Sequence, residues 1–234
     1  MALGHGLECT PSIAFGPRKY LRTVRVGSPY KEERMALLDR VKAILLTPKQ
    51  EWGVIEAEPA TAGSLYTGYV VPLAAIPAVA GFIGWSVVGF GGALGMSFKV
   101  PVGTGLTWAA VQYCGTLVGV YVLALIIDAL APSFGGQKNQ IQALKVAVYS
   151  STASWIAGIF AIIPSLGILG ILGLYSLYLL FLGLPILMKA PQDKALGYTV
   201  VAVIAAVVVF LLVTALANQV AGFGGWYGRP TFPS

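Results

Sequence analysis

Residues 162–198 read IIPSLGILGILGLYSLYLLFLGLPILMKAPQDKALGY, and this stretch decides the fold. Its central 23 residues, 166–188, contain no charged side chain. At about 1.5 Å per residue, a helix of this length covers roughly 34 Å, enough to cross a hydrocarbon core about 30 Å thick. A soluble helix would keep one polar face, and this stretch has none. It therefore predicts a transmembrane helix that ends in the polar turn around Pro191.

The composition of the whole chain is that of a membrane protein. Of its 234 residues 57% are hydrophobic and 10% are charged, whereas a soluble domain carries about 25% charged residues. The mean hydropathy is +0.80. The net charge of +6 does not indicate nucleic-acid binding, because nine of the fifteen basic residues lie before residue 50 among acids and the others lie in short loops. The two cysteines, Cys9 and Cys114, lie in different settings and predict no disulfide.

The first 34 residues are basic, are interrupted by proline and glycine, and lack the apolar region of a signal peptide. We interpret residues 1–34 as a disordered tail, or as the product of a start codon placed upstream of a natural start at Met35. A contact with anionic lipid is the weaker alternative.

Residues 35–62 predict two short amphipathic helices at the cytosolic membrane interface. In the first helix one face carries the apolar side chains Leu37, Leu38, Val41, Ile44 and Leu45. The second covers residues 48–56, with Thr47 as N-cap, a proline at the first helical position and Gln50 reaching back to the cap. Trp52 lies on its apolar side, where we interpret it as an interfacial anchor, with packing against cytosolic loops as the alternative.

Hydrophobic runs divide residues 63–217 into five spans, at about 65–90, 104–130, 144–163, 166–188 and 196–216. Two prolines five residues apart predict a kink in the first span. Residues 89–103 read as an outer loop that is partly re-entrant, and residues 218–234 as a loose C-terminal tail. The predicted fold class is all-α: a polytopic integral membrane protein with five transmembrane helices, preceded by short amphipathic helices.

The distribution of basic residues predicts the orientation. With the N-terminus inside, the inner segments carry thirteen basic residues and the outer segments carry two, Lys99 and Arg229. The positive-inside rule then places the chain in the cytoplasmic (inner) membrane with a cytosolic N-terminus and a periplasmic C-terminus. No internal repeat supports an inverted-repeat transporter.

The sequence contains no catalytic constellation. Its only histidine, His5, lies in the tail, and there is no HExxH, Cys/His cluster, phosphate-binding loop or pair of intramembrane carboxylates. No catalytic residue, metal, cofactor or small-molecule substrate is predicted, and we do not expect an enzyme. Asp128 is the one acid within a span, and near the span's end it should be hydrated or paired with Lys138 or Lys145.

Three sets of residues are candidates for contacts. Small residues that predict close helix packing are Gly115, Gly119, Ser154, Gly158, Gly170 and Gly173. Candidate partner contacts on the cytosolic side are Trp52, Asp128, Lys138, Lys145, Lys189, Asp193 and Lys194. A candidate polar path through the membrane would use Gln112, Ser150, Tyr175 and Tyr178.

Several stretches resemble the bacterial branch of the Yip family, the Ypt/Rab-interacting five-span membrane proteins. They are TPKQEW (47–52), YVVPLAAIPAVAGFIG (69–84), DALAPSFGGQKN (128–139), YSSTASW (149–155), IIPSLGILG (162–170), GLYSLYLLFLGLPILMKAP (173–191) and DKALGY (193–198). The resemblance covers about residues 35–220, and it departs at Ala153, where the family more often has proline.

The resemblance implies a cytosolic N-terminus, five spans and no enzymatic activity. Eukaryotic relatives bind small GTPases in vesicle traffic, which a bacterium would not offer. Our hypothesis is a non-catalytic scaffold or adaptor whose partners, beyond the lipid bilayer, are another membrane protein or a second copy, docking where residues 47–58, 128–145 and 188–198 converge. The alternative is a small-solute or lipid transporter or channel subunit along the polar path.

The predicted orientation can be tested by labelling single cysteines in a chain whose native cysteines are changed to serine. Lys138→Cys should react with a membrane-impermeant maleimide only after the cell membrane is broken, because its connector faces the cytosol. Lys99→Cys, on the outer loop, should react once the outer membrane alone is opened. The opposite pattern would invert the topology.

Overall fold

The computed structural model describes residues 29–91 and 97–222, with side chains described for 37–89, 99–163 and 165–222. Within these ranges the regular secondary structure is helical apart from one pair of two-residue strands. The helices long and apolar enough to cross a membrane are span 1 (Ala62–Val88), span 2 (Val102–Phe134), span 3 (Gln140–Ile162), span 4 (Ser165–Leu187) and span 5 (Gln192–Val220). The predicted fold class is therefore confirmed.

Two helices precede the spans, α1 (Pro29–Leu46) and α2 (Pro48–Ala57). α1 starts before Met35; the prediction for residues 1–28 lies outside the described residues. The inner face of α1 is centred on Ile44, which is fully buried, and Leu38 lies at its edge with 55% of its surface exposed. Thr47 is the N-cap residue of α2 and Pro48 follows it, as predicted, but Thr47 makes no capping hydrogen bond with its side chain. Its hydroxyl donates instead to the carbonyl oxygen of Ala43 at the end of α1 (3.1 Å).

Span 1 changes helix type on both sides of the two prolines for which the sequence predicts a kink. Two π-helical segments, Tyr66–Val70 and Ile83–Val88, flank the α-helical segment Val71–Phe82, and a short α-helical turn, Ala62–Leu65, precedes them. Pro72 has no N–H to donate to the carbonyl four residues earlier, so the turn before it cannot close as a regular α-helix.

Span 1 leads into the predicted outer loop. There β1 (Phe90–Gly91) pairs with β2 (Ser97–Phe98) in antiparallel fashion, with Phe90 opposite Phe98. The backbone N–H of Val100 donates to the carbonyl oxygen of Trp85 at 3.0 Å, which ties the loop back to the end of span 1.

Spans 2 and 5 are mostly regular, whereas spans 3 and 4 change helix type along their length. Span 2 is α-helical over Val102–Leu130 and 3-10 helical over Ala131–Phe134, and span 5 is one α-helix. Span 3 comprises α-helices Gln140–Ser150 and Thr152–Ala157 and a 3-10 segment, Gly158–Ile162. Span 4 begins in a 3-10 helix, Pro164–Leu174, and continues as an α-helix, Tyr175–Leu187.

The long 3-10 segment of span 4 follows from its sequence repeat. Glycine recurs every third residue, at Gly167, Gly170 and Gly173. A 3-10 helix has three residues per turn, so these glycines align in one column and the bulky Ile168 and Ile171 in another. Both isoleucines are largely exposed, as expected for side chains that face lipid.

Burial among the spans runs opposite to hydropathy. Span 3 has the lowest mean hydropathy (1.2) and is the most buried, at 56%, whereas span 5 has the highest (3.1) and is only 11% buried. The reason is that lipid is the apolar solvent: the helix most exposed to it must be the most apolar, and the central helix is shielded by its neighbours.

The predicted packing residues act within the chain, and not all act alike. A Cβ on Gly115 would lie 2.4 Å from Cγ1 of Val213, so this glycine lets span 2 close on span 5. Gly119 meets Val209 in the same way, and Gly158 lets span 3 approach Pro77 of span 1. A Cβ on Gly173 would make an ordinary contact with Ser154, and one on Gly170 would point into open space, so no tight packing depends on Gly170.

The closeness of spans 2 and 5 yields a testable prediction. Gly115→Ala should destabilise the protein by about 1–3 kcal/mol, because the added methyl group overlaps Val213. Adding Val213→Ala should recover most of this loss. The measurement is the midpoint of unfolding in a mixed-micelle denaturant titration.

Gly103→Ala is the matched control for this prediction. Gly103 lies in the same helix, and a Cβ there would meet no atom within 4 Å, so the substitution should be neutral or mildly stabilising. Equal destabilisation by both substitutions would contradict the proposed contact.

Candidate functional site: the charged face

α1, α2 and two connectors between spans meet at one end of the bundle, which we call the charged face. Residues 135–139 join spans 2 and 3, and residues 188–191 join spans 4 and 5. The N–H of Gln137 in the first connector donates to the carbonyl oxygen of Met188 in the second at 2.8 Å. Lys189 forms an ion pair with Glu56 of α2. The three segments predicted to converge therefore touch one another.

Lys145, at the start of span 3, holds the end of α2. Its side chain is only 3% exposed, and Nζ donates to the carbonyl oxygens of Ile55 (2.7 Å) and Glu58 (2.5 Å). The Ile55 carbonyl would normally accept from the residue four positions later, but that residue is Pro59 and has no N–H. A cation at a helix C-terminus also opposes the negative end of the helix dipole. Span 3 therefore supplies the cap that α2 lacks.

Gln142 strengthens this cap from one turn earlier on span 3. Its Nε2 donates to the carbonyl oxygen of Glu56 at 3.1 Å. The start of span 3 is itself capped by Asn139, whose Oδ1 accepts from the backbone N–H of Gln142 at 3.1 Å. The two capping arrangements share Gln142, so the position of α2 is fixed relative to the first turn of span 3.

Trp52 fastens α2 to span 4. Its ring is fully buried, and a Cβ on Gly183 would lie 2.7 Å from ring atom Cζ2. The ring also meets Tyr149 edge to face, with centroids 6.5 Å apart. The structure thus corrects the prediction that Trp52 is an interfacial anchor or a partner contact. Because Gly183 has no side chain, it leaves room for the indole ring to be buried against span 4.

Arg40 joins α1 to both ends of α2. Its guanidinium binds the carboxylates of Glu51, within α2, and Glu58, just after it. Burial lowers the pKa of the Arg40 guanidinium, but the two carboxylates outweigh this effect and raise the pKa above its ordinary value. The group therefore keeps its charge, and the link between the helices persists, at every pH in the physiological range.

A cleft of about 650 Å³ opens beside this cluster, between α1, the segment after α2, span 1 and span 3. Its walls include the charged side chains of Arg40, Glu58 and Lys145 and the ring of Tyr149. Other parts of the lining are apolar or small: Leu37, Leu65, Gly68, Val71 and Pro72. Tyr69, also in the wall, donates or accepts a buried hydrogen bond with Thr152 Oγ1 at 2.9 Å.

The remaining predicted partner contacts divide by exposure. Lys138, Lys189, Asp193 and Lys194 are exposed on the charged face. Asp128 is half-buried, its Oδ1 has no hydrogen-bond partner among the described residues, and neither predicted lysine forms an ion pair with it there. The predicted Lys145–Asp128 pairing is wrong because the α2 carbonyls take the Lys145 ammonium.

The predicted polar path is not one passage in the described part of the chain. Ser150 donates to the carbonyl oxygen of Ala147 in its own helix (3.3 Å), and Tyr175 donates to that of Leu45 in α1 (3.1 Å). Tyr178 is 40% exposed. Only Gln112 borders a cleft, of about 280 Å³, that is lined chiefly by aliphatic residues of spans 2 and 5.

The same cleft receives Ser154, which was predicted for packing. Its hydroxyl donates to the carbonyl oxygen of Gly173 at 3.1 Å and lies 2.8 Å from the Ser176 hydroxyl, so it joins spans 3 and 4. Along span 2 this cleft runs from Gln112 to Leu123, about 16 Å and roughly half of a membrane crossing.

Sequence reasoning missed several residues that build the charged face. It assigned no role in a contact to Arg40, Glu51, Glu58, Gln142 or Gly183. Tyr198 was missed as well: its hydroxyl donates to the carbonyl oxygen of Ile127 at 2.5 Å, and its ring stacks on Phe134. The available signal for Lys145 was the proline that follows α2, because it removes a hydrogen-bond donor that a nearby cation can replace.

Comparison with known proteins agrees with this architecture. The family model for the Yip1 domain matches residues 42–214, which include α2, spans 1 to 4, both connectors and most of span 5. The chain is 27% identical over 191 residues to the inner membrane protein YohC of Escherichia coli K12, covering 80% of this chain and 98% of the relative. YohC of E. coli O6:H1 strain CFT073 matches equally well. No solved structure matches the chain. The chain belongs to the Yip1 domain family.

The cap on α2 can be tested by replacing Lys145. Lys145→Met keeps a long side chain but removes the donor, and leaving a buried carbonyl unpaired costs about 1–3 kcal/mol. Amide hydrogen exchange in α2 should therefore accelerate by about one to two orders of magnitude, as measured by mass spectrometry.

Lys138→Met is the control, since this nearby lysine is exposed and makes no described contact. It should leave exchange in α2 unchanged. If the two variants exchange at the same rate, Lys145 does not hold the end of α2.

Proposed function

We propose that this Yip1 domain protein is a multi-pass inner membrane protein that organises other proteins through its charged face, without catalysing a reaction. The charged face lies on the cytosolic side in this proposal. Of the eight basic residues with described side chains, seven belong to that end of the bundle and only Lys99 to the other. The positive-inside rule favours this orientation, and the name of the relatives, inner membrane protein, favours the location.

The observation that carries the proposal is the division of charges on the charged face. One set is used internally: Arg40 binds two carboxylates, Lys145 caps α2, and Lys189 binds Glu56. Another set, Lys138, Asp193 and Lys194, is exposed and forms no ion pair within the described residues. The first set of charges holds the helices of the charged face in place, and the second set is exposed on that face. Exposed charges in fixed positions guide the approach of a partner and help to select it.

The two connectors beside these exposed charges are also held in place. Gly136 packs so closely on the second connector that a Cβ would lie 2.7 Å from the carbonyl oxygen of Met188. Lys189 adopts a left-handed backbone conformation, φ 55°, which reverses the chain after span 4. A surface ordered in advance loses little conformational entropy on binding, which favours a docking role.

The acidic side chains of α2 support a role without catalysis. Glu51 and Glu56, with Glu58 just beyond the helix, are each engaged by a basic partner. A general acid or base needs a side chain that can exchange a proton with a substrate, and these carboxylates are occupied in holding the frame. The transporter alternative has less support, because the cleft beside Gln112 covers only about half of a crossing.

The proposal is tested by reversing the exposed charges. We expect the double variant Lys138→Glu with Lys194→Glu to lose co-purifying proteins several-fold in quantitative mass spectrometry after crosslinking in living cells. The reason is that like charges replace the complementary ones at the contact. Its thermal stability in detergent should match the unaltered protein.

Lys99→Glu is the control, because it makes the same reversal at the opposite end of the bundle. It should leave the set of co-purifying proteins unchanged. A protein that crosslinks to no partner above background, or a double variant that keeps its partners, would refute docking at the charged face.

A further inference from the structure

We propose that the cleft beside the charged face binds one zwitterionic phospholipid with an ammonium-bearing headgroup, of the phosphatidylethanolamine class. The phosphate would lie against Arg40 and the hydroxyl of Tyr149, the ammonium against Glu58, and an acyl chain along span 1. This inference is independent of protein docking at the exposed lysines, because it uses a different surface.

The hydroxyl of Tyr149 is the first observation. The side chain is only 8% exposed, and its ring is fixed between Tyr69, at a centroid distance of 4.8 Å, and Trp52. Its hydroxyl makes no hydrogen bond to any described residue, although the ring lines the cleft.

Other tyrosines of the spans show that this is unusual. Tyr66, Tyr69, Tyr113, Tyr175 and Tyr198 each place the hydroxyl against a described oxygen atom at hydrogen-bond distance. The hydroxyl oxygen of Tyr149 is not itself fully buried, so a ligand in the cleft can reach it. An acceptor from outside the chain, such as a phosphate oxygen, would supply the hydrogen-bond partner that Tyr149 lacks.

The charges around the cleft select a zwitterion. Arg40 comes from α1, Glu51 from α2, Glu58 from the segment after it and Lys145 from span 3, and together these four groups are neutral. The Lys145 ammonium is directed to two carbonyl oxygens, so Arg40 is the cation with N–H groups to spare for a phosphate. Glu58 stands beside it, with about half of its side chain exposed. A purely anionic headgroup would meet that carboxylate, whereas an ammonium would neutralise it.

The depth of the cleft fits a lipid better than a soluble molecule. Its wall follows span 1 from Ser64 to Pro72, about 12 Å at 1.5 Å per residue. The headgroup layer on each side of a bilayer is only about 5–8 Å thick, so the lower part reaches the acyl chains. No residue of span 1 in this wall is charged, and Leu65, Val71 and Pro72 supply apolar side chains along it.

The π-helical turn of span 1 opens the space for the acyl chain. Thr67 and Gly68, within this turn, are exposed and line the cleft, and a Cβ on Gly68 would meet no atom within 4 Å. Insertions of this type in α-helices are frequent at functional sites. Here the π-helical turn widens span 1 at the position where the acyl chain of the lipid would lie.

The test uses the full-length protein, stripped of lipid in detergent and titrated with phosphatidylethanolamine or phosphatidylglycerol of identical acyl chains. Native mass spectrometry measures the lipid-bound fraction. We expect phosphatidylethanolamine to bind at least about fivefold more tightly, and Tyr149→Phe to weaken it about fivefold, the equivalent of one hydrogen bond. Tyr149→Phe keeps the ring packing and should therefore fold.

Two controls make the test decisive. Tyr178→Phe removes the hydroxyl of a half-exposed tyrosine outside the cleft and should not change binding. Gly68→Leu should block the acyl groove and reduce binding at least as much as Tyr149→Phe does. Equal binding of the two lipids, or an unaffected Tyr149→Phe, would overturn the proposal. So would full displacement of the lipid by equimolar soluble glycerophosphoethanolamine, because the apolar half of the cleft would then contribute nothing.

Discussion

The buried ammonium of Lys145 is the interaction on which the charged face depends. A helix that ends against a proline has a carbonyl group with no donor, and burying such a group beside a bilayer is costly. Span 3 supplies both the donor and the compensating charge to Ile55 and Glu58. Once α2 is fixed in this way, Trp52 can enter its slot on span 4, and Arg40 can draw α1 onto the same frame.

The sequence was sufficient to predict the membrane domain, because length and hydropathy are nearly the only requirements for crossing a bilayer. It was not sufficient for the charged face. Trp52 was predicted at the membrane interface and lysine is usually exposed, yet Trp52 and Lys145 are both buried here. Their partners, Gly183 and the end of α2, are distant in sequence. The hydrophobic periodicity and composition of a helix indicate which solvent surrounds it. Contacts such as those of Trp52 and Lys145 depend instead on tertiary geometry.

The packing of the spans also could be predicted from the sequence only in part. The Gly115–Gly119 motif predicted a close contact correctly but could not say with what, and the structure assigns it to span 5 of the same chain. Gly170 and Gly173 were predicted to allow close helix packing, and Gly167 precedes them at the same interval. Their spacing of three instead matches the 3-10 helix that span 4 adopts, so the repeat specifies helix type more than contact.

That choice of helix type changes how far span 4 reaches. A 3-10 helix rises about 2.0 Å per residue against about 1.5 Å for an α-helix, so its eleven-residue segment is about 5 Å longer than the α-helical equivalent. Trp52 packs against the other end of span 4 and holds it in place. The additional length is therefore accommodated by a tilt of the helix or by its extension beyond the far leaflet. The fit of span 4 to the bilayer therefore depends on the type of helix that its first half adopts.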